Sequence, residues 1–218
     1  MSTVLYFIRH SEVCSKSLLK NIQNSDSFQE SNEKSVLSVN GEKKAKELSE
    51  HVELQNIDAV YSSDYSRCIA TAKYIAEANG KQINVDERLG ERVIGDTEGL
   101  DWYDFHQQQL KDFDFKRDNG ESLNETKKRM VDAVKNILMF ETDNRVVVVS
   151  HSTALTCLLS AWCDIGRNYH NEVILSYKDD TIVDGHWTAP MVFKVEFDGM
   201  NVLSIEVIDN ETEEKIDY

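Results

Sequence analysis

Four consecutive valines, Val146–Val149, lie between Arg145 and the dipeptide Ser150-His151. A strand that exposed one face would place a polar residue at every second position, so an unbroken apolar run of this kind belongs to a strand buried on both faces, the usual state of a strand in a parallel sheet. A second run of the same character, Thr3–Ile8, ends as abruptly at Arg9-His10. Parallel neighbours must be joined by crossovers, normally helices. The segments between the runs supply them. Ser38 is placed to cap a helix to about Glu53, with Ala45, Leu48 and Val52 on one face. Ser62-Ser63-Asp64 opens a helix to about Asn79, with Gly80 where a left-handed C-cap belongs. A further helix is expected over 101–111. Ser122-Leu-Asn-Glu125 is a capping box for the next, whose core face is Met130, Val131, Val134, Ile137 and Leu138. The last helix is expected over 153–163. Short strands are expected at Asp58–Tyr61 and Ile83–Val85, and alternating runs at Val173–Tyr177, Thr181–Trp187, Met191–Phe197 and Asn201–Ile208, the last two as a hairpin around Asp198-Gly199. The pattern predicts a three-layer α/β/α sandwich with a mostly parallel central sheet, an inserted segment near 92–120 and late antiparallel strands. Residues 11–37, rich in Ser, Asn and Lys, form a long connection of the kind that carries function. A 218-residue chain buries roughly 70% of its unfolded surface, enough for one core, so 1–218 is read as one domain.

Charge narrows the partners. The chain carries 24 basic and 39 acidic side chains, a net charge of −15, which opposes nucleic acids and anionic membranes. Small anions remain open to it if a local cationic pocket exists. The acidity is uneven: residues 86–125 hold five basic against twelve acidic groups and residues 204–218 one against six, whereas 1–85 are nearly balanced. Cys14, Cys68, Cys157 and Cys163 show no CxxC spacing and are read as reduced and mostly buried thiols, with neither zinc nor a disulfide framework expected. No apolar run reaches the ~20 residues of a membrane span, and Met1–Ile8 lacks the form of a signal peptide. A cytoplasmic protein, monomer or homodimer, is expected.

The chemistry concentrates at strand ends. Arg9-His10, Ser62-Ser63 leading to Arg67, and Ser150-His151 each begin where an expected buried strand stops. In open α/β sheets ligands bind at the carboxyl ends of the strands, so two histidines and two arginines are expected in one crevice.

These residues resemble the histidine phosphatase superfamily, also called phosphoglycerate mutase-like. The resemblance runs from about Val4 to Leu159. It rests on Phe7-Ile8-Arg9-His10, Leu37-Ser-Val-Asn-Gly41, Ser62-Ser-Asp-Tyr-Ser-Arg67-Cys-Ile-Ala-Thr71-Ala, Leu89-Gly-Glu91-Arg-Val-Ile-Gly-Asp-Thr-Glu98-Gly, Gly120-Glu121-Ser122 and Val-Val-Val-Ser150-His151. It implies that His10 takes up a phosphoryl group as phosphohistidine. It further implies that Arg9, Arg67 and a protonated or hydrogen-bonding His151 clamp the phosphoryl oxygens, and that Glu91 is the proton donor and acceptor. Ser62 and Ser63 are read first as helix caps, with Ser63 also a candidate phosphate donor. Where the family usually has Gly after each histidine, this chain has Ser11 and Ser152. Each is a candidate phosphate donor, or a strained site costing about 1–2 kcal/mol if its φ is positive. His51, His106, His170 and His186 are read as exposed histidines, and most of Trp102, Tyr103, Phe105, Phe113 and Phe115 as packing residues.

The segment after Glu91 lacks the Glu-Arg-His-Tyr-Gly form of the glycolytic mutases and resembles the phosphatase branch. The expected activity is therefore hydrolysis of a small phosphorylated metabolite, with no cofactor or metal. The alternatives are a 2,3-bisphosphoglycerate-dependent phosphoglycerate mutase and a catalytically weak phosphate-binding regulatory protein. An acidic rim from 86–125 is expected to disfavour bisphosphates.

Overall fold

The structure is a computed structural model describing residues 2–14 and 27–208. Its elements run β1 (Thr3–Arg9), α1 (Phe28–Glu33), α2 (Val39–Ser49), β2 (Ala59–Ser62), α3 (Ser66–Asn79), β3 (Ile83–Val85), α4 (Trp102–Lys111), α5 (Leu123–Phe140), β4 (Arg145–Ser150), α6 (Ser152–Leu159), β5 (Asp164–Arg167), β6 (Val173–Tyr177), β7 (Asp180–Asp184), β8 (Met191–Asp198) and β9 (Asn201–Ile208). Six strands form the main sheet in the order β3-β2-β4-β1-β8-β9. The first four are parallel, β8 is antiparallel to β1, and β9 is antiparallel to β8.

The valine run lies at the centre of this sheet. β4 pairs with β1 so that Leu5 meets Val146 and Phe7 meets Val148, while Tyr6 meets Val147 and Ile8 meets Val149. Successive side chains point to opposite faces. Leu5, Phe7, Val146 and Val148 therefore join the core under α5 and α6, with Met130, Val134, Leu155 and Leu158. Tyr6, Ile8, Val147 and Val149 join the other core under α2 and α3, with Leu48, Cys68, Ala72 and Ile75. The fold is α/β in three layers, with a mostly parallel sheet.

Local signals account for most helix N-termini and for the C-terminus of α3. Ser122 accepts from the Glu125 amide while the Glu125 carboxylate accepts from the Ser122 amide, so the capping box forms. Gly80 ends α3 at φ 63°. Several expectations need correction. The helix expected to reach Glu53 stops at Ser49, because the His51 ring accepts from the Glu53 amide and turns the chain into a 3-10 turn. That turn buries Leu54 completely and leaves Val52 exposed, so Val52 is not a core residue. The serines before α3 do not cap it: its N-cap is Tyr65, with no side-chain cap bond. The helix expected to reach residue 163 ends at Leu159. Beyond it β5, missed in the sequence, joins β6 and β7 in a separate three-stranded sheet. The connection 11–37 contains α1, which opens on the capping box Ser27-Phe-Gln-Glu30, and a bridge between Val13 and Leu37. Most of the acidic tail, 209–218, lies outside the described residues. Among the described residues no helix is long and apolar enough to cross a membrane.

Candidate active site

Because β1, β2 and β4 are parallel, their carboxyl ends share one edge of the sheet. Backbone bonds carry the register past the last strand residues: the His10 amide donates to the Ser150 carbonyl at 2.9 Å and the Ser63 amide to the Val149 carbonyl at 3.0 Å. His10, Ser63 and His151 are thus fixed side by side. The rings of His10 and His151 stand edge to face, their centroids 5.2 Å apart.

His10 is buried, and its Nδ1–H donates to the Ser11 carbonyl at 2.7 Å. That bond selects the tautomer with a lone pair on Nε2. Burial, reinforced by the positive charges of Arg67 and Arg9 and opposed by the Ser11 carbonyl, pushes the imidazole down to about 3. His10 is therefore neutral at physiological pH, as a nucleophile must be.

His151 is fully buried. Arg67 Nη2 donates to its Nδ1 at 3.0 Å, and its Nε2–H donates to Ser63 Oγ at 3.0 Å. Burial, then the charge of Arg67, with smaller contributions from Arg129 and Arg9, hold it well below its ordinary value. The protonated alternative expected for His151 is corrected accordingly: in this state it is neutral, with both ring nitrogens engaged. Tyr65 packs edge-on against the same ring at 4.7 Å, and the Arg67 guanidinium lies 4.9 Å from the Tyr65 ring centre. Cys68 Sγ is 3.3 Å from His151 Nε2, and burial pushes its thiol well up, so it is not a thiolate.

The two arginines are anchored by parts of the chain that sequence reasoning did not connect to them. Arg9 Nη1 donates to the carbonyls of Trp187 and Thr188, at 2.6 and 3.0 Å, in the segment between the small sheet and β8. Its Nε is buried without a partner among the described residues. Arg67 Nη1 donates to the Asn32 carbonyl on α1. Backbone carbonyls leave no trace in a residue pattern, so nothing in the sequence pointed to these anchors.

The serines divide. Ser11 is completely buried; its hydroxyl donates to the Gly41 carbonyl at 2.7 Å and its amide to Thr71 Oγ1 at 3.0 Å. Both donors are engaged in tying β1 to α2 and α3, which corrects Ser11 as a phosphate donor. Neither Ser11 nor Ser152 has a positive φ, so the strain considered for them does not arise. Ser63 is placed beside the histidines, its oxygen accepting from His151 and from the Tyr65 amide. Ser152 lies at the first turn of α6 and lines a cavity of about 360 Å³ that also touches Arg92, His106, Gln109, Thr153 and Trp187. His106 is thus at a cavity wall, while Phe105 packs beneath Arg92.

Glu91 joins this group from the loop after β3. Its carboxylate accepts from the Arg92 and Ala154 amides at 2.8 and 3.0 Å and from the Thr153 amide at 3.3 Å, so it caps the helix that follows His151. Its negative charge acts on Arg9. The acidity of 86–125 is in part internal: Asp86 pairs with Arg88, Glu121 with Arg129 and Glu125 with Lys116, and Asp101 caps α4. The expected rim is weakened to that extent. Among the described residues no group of three or more His, Cys, Asp or Glu is arranged to hold a metal ion.

The chain is 34% identical over 134 residues to a probable phosphoglycerate mutase of Serratia proteamaculans, a match covering 58% of this chain and 62% of that one. The chain thus spans less than two thirds of the length of such relatives. The fold is similar to that of Bacillus stearothermophilus YhfR, with TM-score 0.66, 23% identity and coverage of 95% and 98% of the two chains. It is also similar to a mycobacterial glucosyl-3-phosphoglycerate phosphatase, with TM-score 0.64, 17% identity and coverage of 95% and 97%. The profile of the histidine phosphatase superfamily, branch 1, matches residues 5–187. With that match across the sheet, the histidine pair and both arginines, the chain belongs to the histidine phosphatase superfamily.

Proposed function

We propose that the protein hydrolyses a small phosphomonoester through a phosphohistidine on His10, without a metal ion. The observation that carries this reading is the state of His10: a buried, neutral imidazole with Nδ1 occupied by the Ser11 carbonyl and Nε2 without a hydrogen-bond partner among the described residues, flanked by Arg67 and Arg9. In the first step the Nε2 lone pair attacks phosphorus and the ester P–O bond breaks. Glu91 gives the departing alkoxide oxygen a proton, which its carboxyl group must carry at this step. In the second step water attacks phosphorus and loses a proton to the Glu91 carboxylate. The P–N bond then breaks, inorganic phosphate leaves, and His10 and Glu91 return to their starting forms. Phosphoryl transfer depends mostly on positioning and charge stabilisation. Arg9 and Arg67 supply the charge, and His151, bonded to Arg67, orients it beside the phosphoryl group. The cavity beside Ser152 accommodates the alcohol part of the substrate.

A second reading, transfer of the phosphoryl group to a phosphoglycerate, draws on the naming of the Serratia relative as a probable phosphoglycerate mutase. Both readings share the first step. The deciding experiment supplies p-nitrophenyl phosphate, and separately 3-phosphoglycerate with bisphosphoglycerate, to wild type and His10→Ala with a chelator present. Hydrolysis that survives the chelator and vanishes in the variant is expected. Isomerisation faster than hydrolysis would replace the phosphatase reading with the mutase. Vanadate binding without turnover of either substrate would leave a phosphate-binding protein.

A further inference from the structure

We infer that the Arg129–Glu121 pair is a positioning unit for Glu91, holding the proton donor in register with the phosphate site; this rests on the reading of Glu91 as the acid. Glu91 lies in an irregular segment, after the 3-10 turn Glu87–Leu89 and before Arg92, with no sheet or helix to fix its backbone. The side chain of Arg129, from the second turn of α5, fixes it instead. Arg129 Nη1 donates to the carbonyls of Arg88 and Gly90, both at 2.8 Å, and Nη2 donates to the carbonyl of Glu91 at 3.0 Å. Nε and Nη2 also donate to the two oxygens of Glu121, at 2.7 and 2.8 Å. A guanidinium has five N–H donors, and all five are engaged here.

Glu121 completes the bracket from the other side. Its Oε2 accepts from the Val93 amide at 3.0 Å, and its own amide donates to the Val93 carbonyl at 2.8 Å. The backbone is therefore gripped on both flanks of Glu91. The Glu91 carboxylate extends the other way, to the first-turn amides of α6 directly after His151. Two helices thus set the acid's position relative to the phosphate-binding histidine. The close approach of the two segments also accounts for two glycines. A Cβ on Gly95 would lie 2.2 Å from the Asp118 carbonyl oxygen, and one on Gly120 would lie 2.5 Å from the Ile94 carbonyl oxygen. The Gly120-Glu121-Ser122 block so gains a chemical purpose beyond capping α5.

A pair that served stability alone would, when weakened, reduce turnover of every substrate alike. A pair that positions the acid acts in proportion to how much the leaving group needs a proton: little for p-nitrophenolate, much for an alkoxide. The test measures kcat/KM for p-nitrophenyl phosphate and for β-glycerophosphate with wild type, Arg129→Lys, Glu121→Gln and Glu91→Gln. Folding is checked by circular dichroism and vanadate affinity. Lys cannot reproduce the fork. We expect each pair variant to lose about 10- to 100-fold on the alkyl ester and about threefold or less on the aryl ester, part of the ~10²–10⁴-fold a general acid supplies. Glu91→Gln should show the same selectivity more strongly. Equal losses on both esters, or none, in pair variants whose vanadate affinity is unchanged would overturn the positioning role while leaving the acid assignment intact. Equal losses in Glu91→Gln would overturn both. Should Arg129→Lys not fold, Glu121→Gln decides the question alone.

Discussion

Acid should destabilise this protein through His10 specifically. The imidazole is depressed from its ordinary value of 6.5 to about 3 in the folded state, by burial first and the two arginines next. A histidine whose folded value is depressed is protonated more readily in the unfolded chain. The native state therefore loses stability as pH falls below about 6.5, and the loss levels off only near the folded value. Between pH 7 and pH 4.5 the linkage amounts to about 2.5 kcal/mol, from 1.36 kcal/mol per unit over the two units separating 4.5 from 6.5, less the small part already present at pH 7. Because pH 4.5 lies well above the folded value, the result depends on the unfolded histidine and hardly on how far the folded one is depressed. The assay is urea denaturation followed by tryptophan fluorescence at both pH values, for wild type and His10→Asn. The Asn amide can donate to the Ser11 carbonyl but does not titrate. Phosphate is omitted, since an anion bound only to the native state would add its own linkage. His151, which is depressed in the same direction, titrates in both proteins and cancels to first order. Wild type should lose about 2.5 kcal/mol more than His10→Asn over this interval. Equal losses would refute the claim that burial and the arginines keep His10 neutral.

Other consequences are open to measurement. Arg67→Lys cannot bond His151 and the Asn32 carbonyl as the guanidinium does; kcat/KM should fall about 10²-fold or more, and vanadate affinity with it. Gly95→Ala combines a φ of 82° with a Cβ contact of 2.2 Å to backbone, and should cost at least about 1–3 kcal/mol in a denaturation curve. Ser122→Ala removes the cap of α5; about 1 kcal/mol is expected, or about 2–4 °C in Tm.

How far the sequence reveals this molecule depends on which interactions carry each feature. The valine run and its partner Thr3–Ile8 are legible because burial on both faces admits only apolar side chains, and they are the centre of the main sheet. His10, Arg67 and His151 are legible as a group because parallel pairing brings strand ends to one edge. Ser11 misleads because its hydroxyl faces Gly41 and not the crevice, and no pattern in the chain states where a side chain turns. Val52 misleads because helical spacing continues past Ser49 although His51 ends the helix through its own ring nitrogen. The small sheet of β5, β6 and β7 is only partly visible, since Asp164–Arg167 reads Asp-Ile-Gly-Arg, with no apolar alternation, although it pairs along its length with β6. The role of Arg129 is not legible in the sequence because three of its five bonds go to carbonyls, which every residue possesses.

The central claim is that His10 Nε2 carries the phosphoryl group. Acid-labile, alkali-stable phosphate should accumulate on the enzyme after rapid denaturation during turnover, and 31P NMR of the alkali-denatured protein should place it on Nε2, because the Ser11 carbonyl holds the hydrogen on Nδ1. It should be absent from His10→Ala. Phosphate on Nδ1, on His151 or on a serine, or undiminished labelling of His10→Ala, would contradict the account.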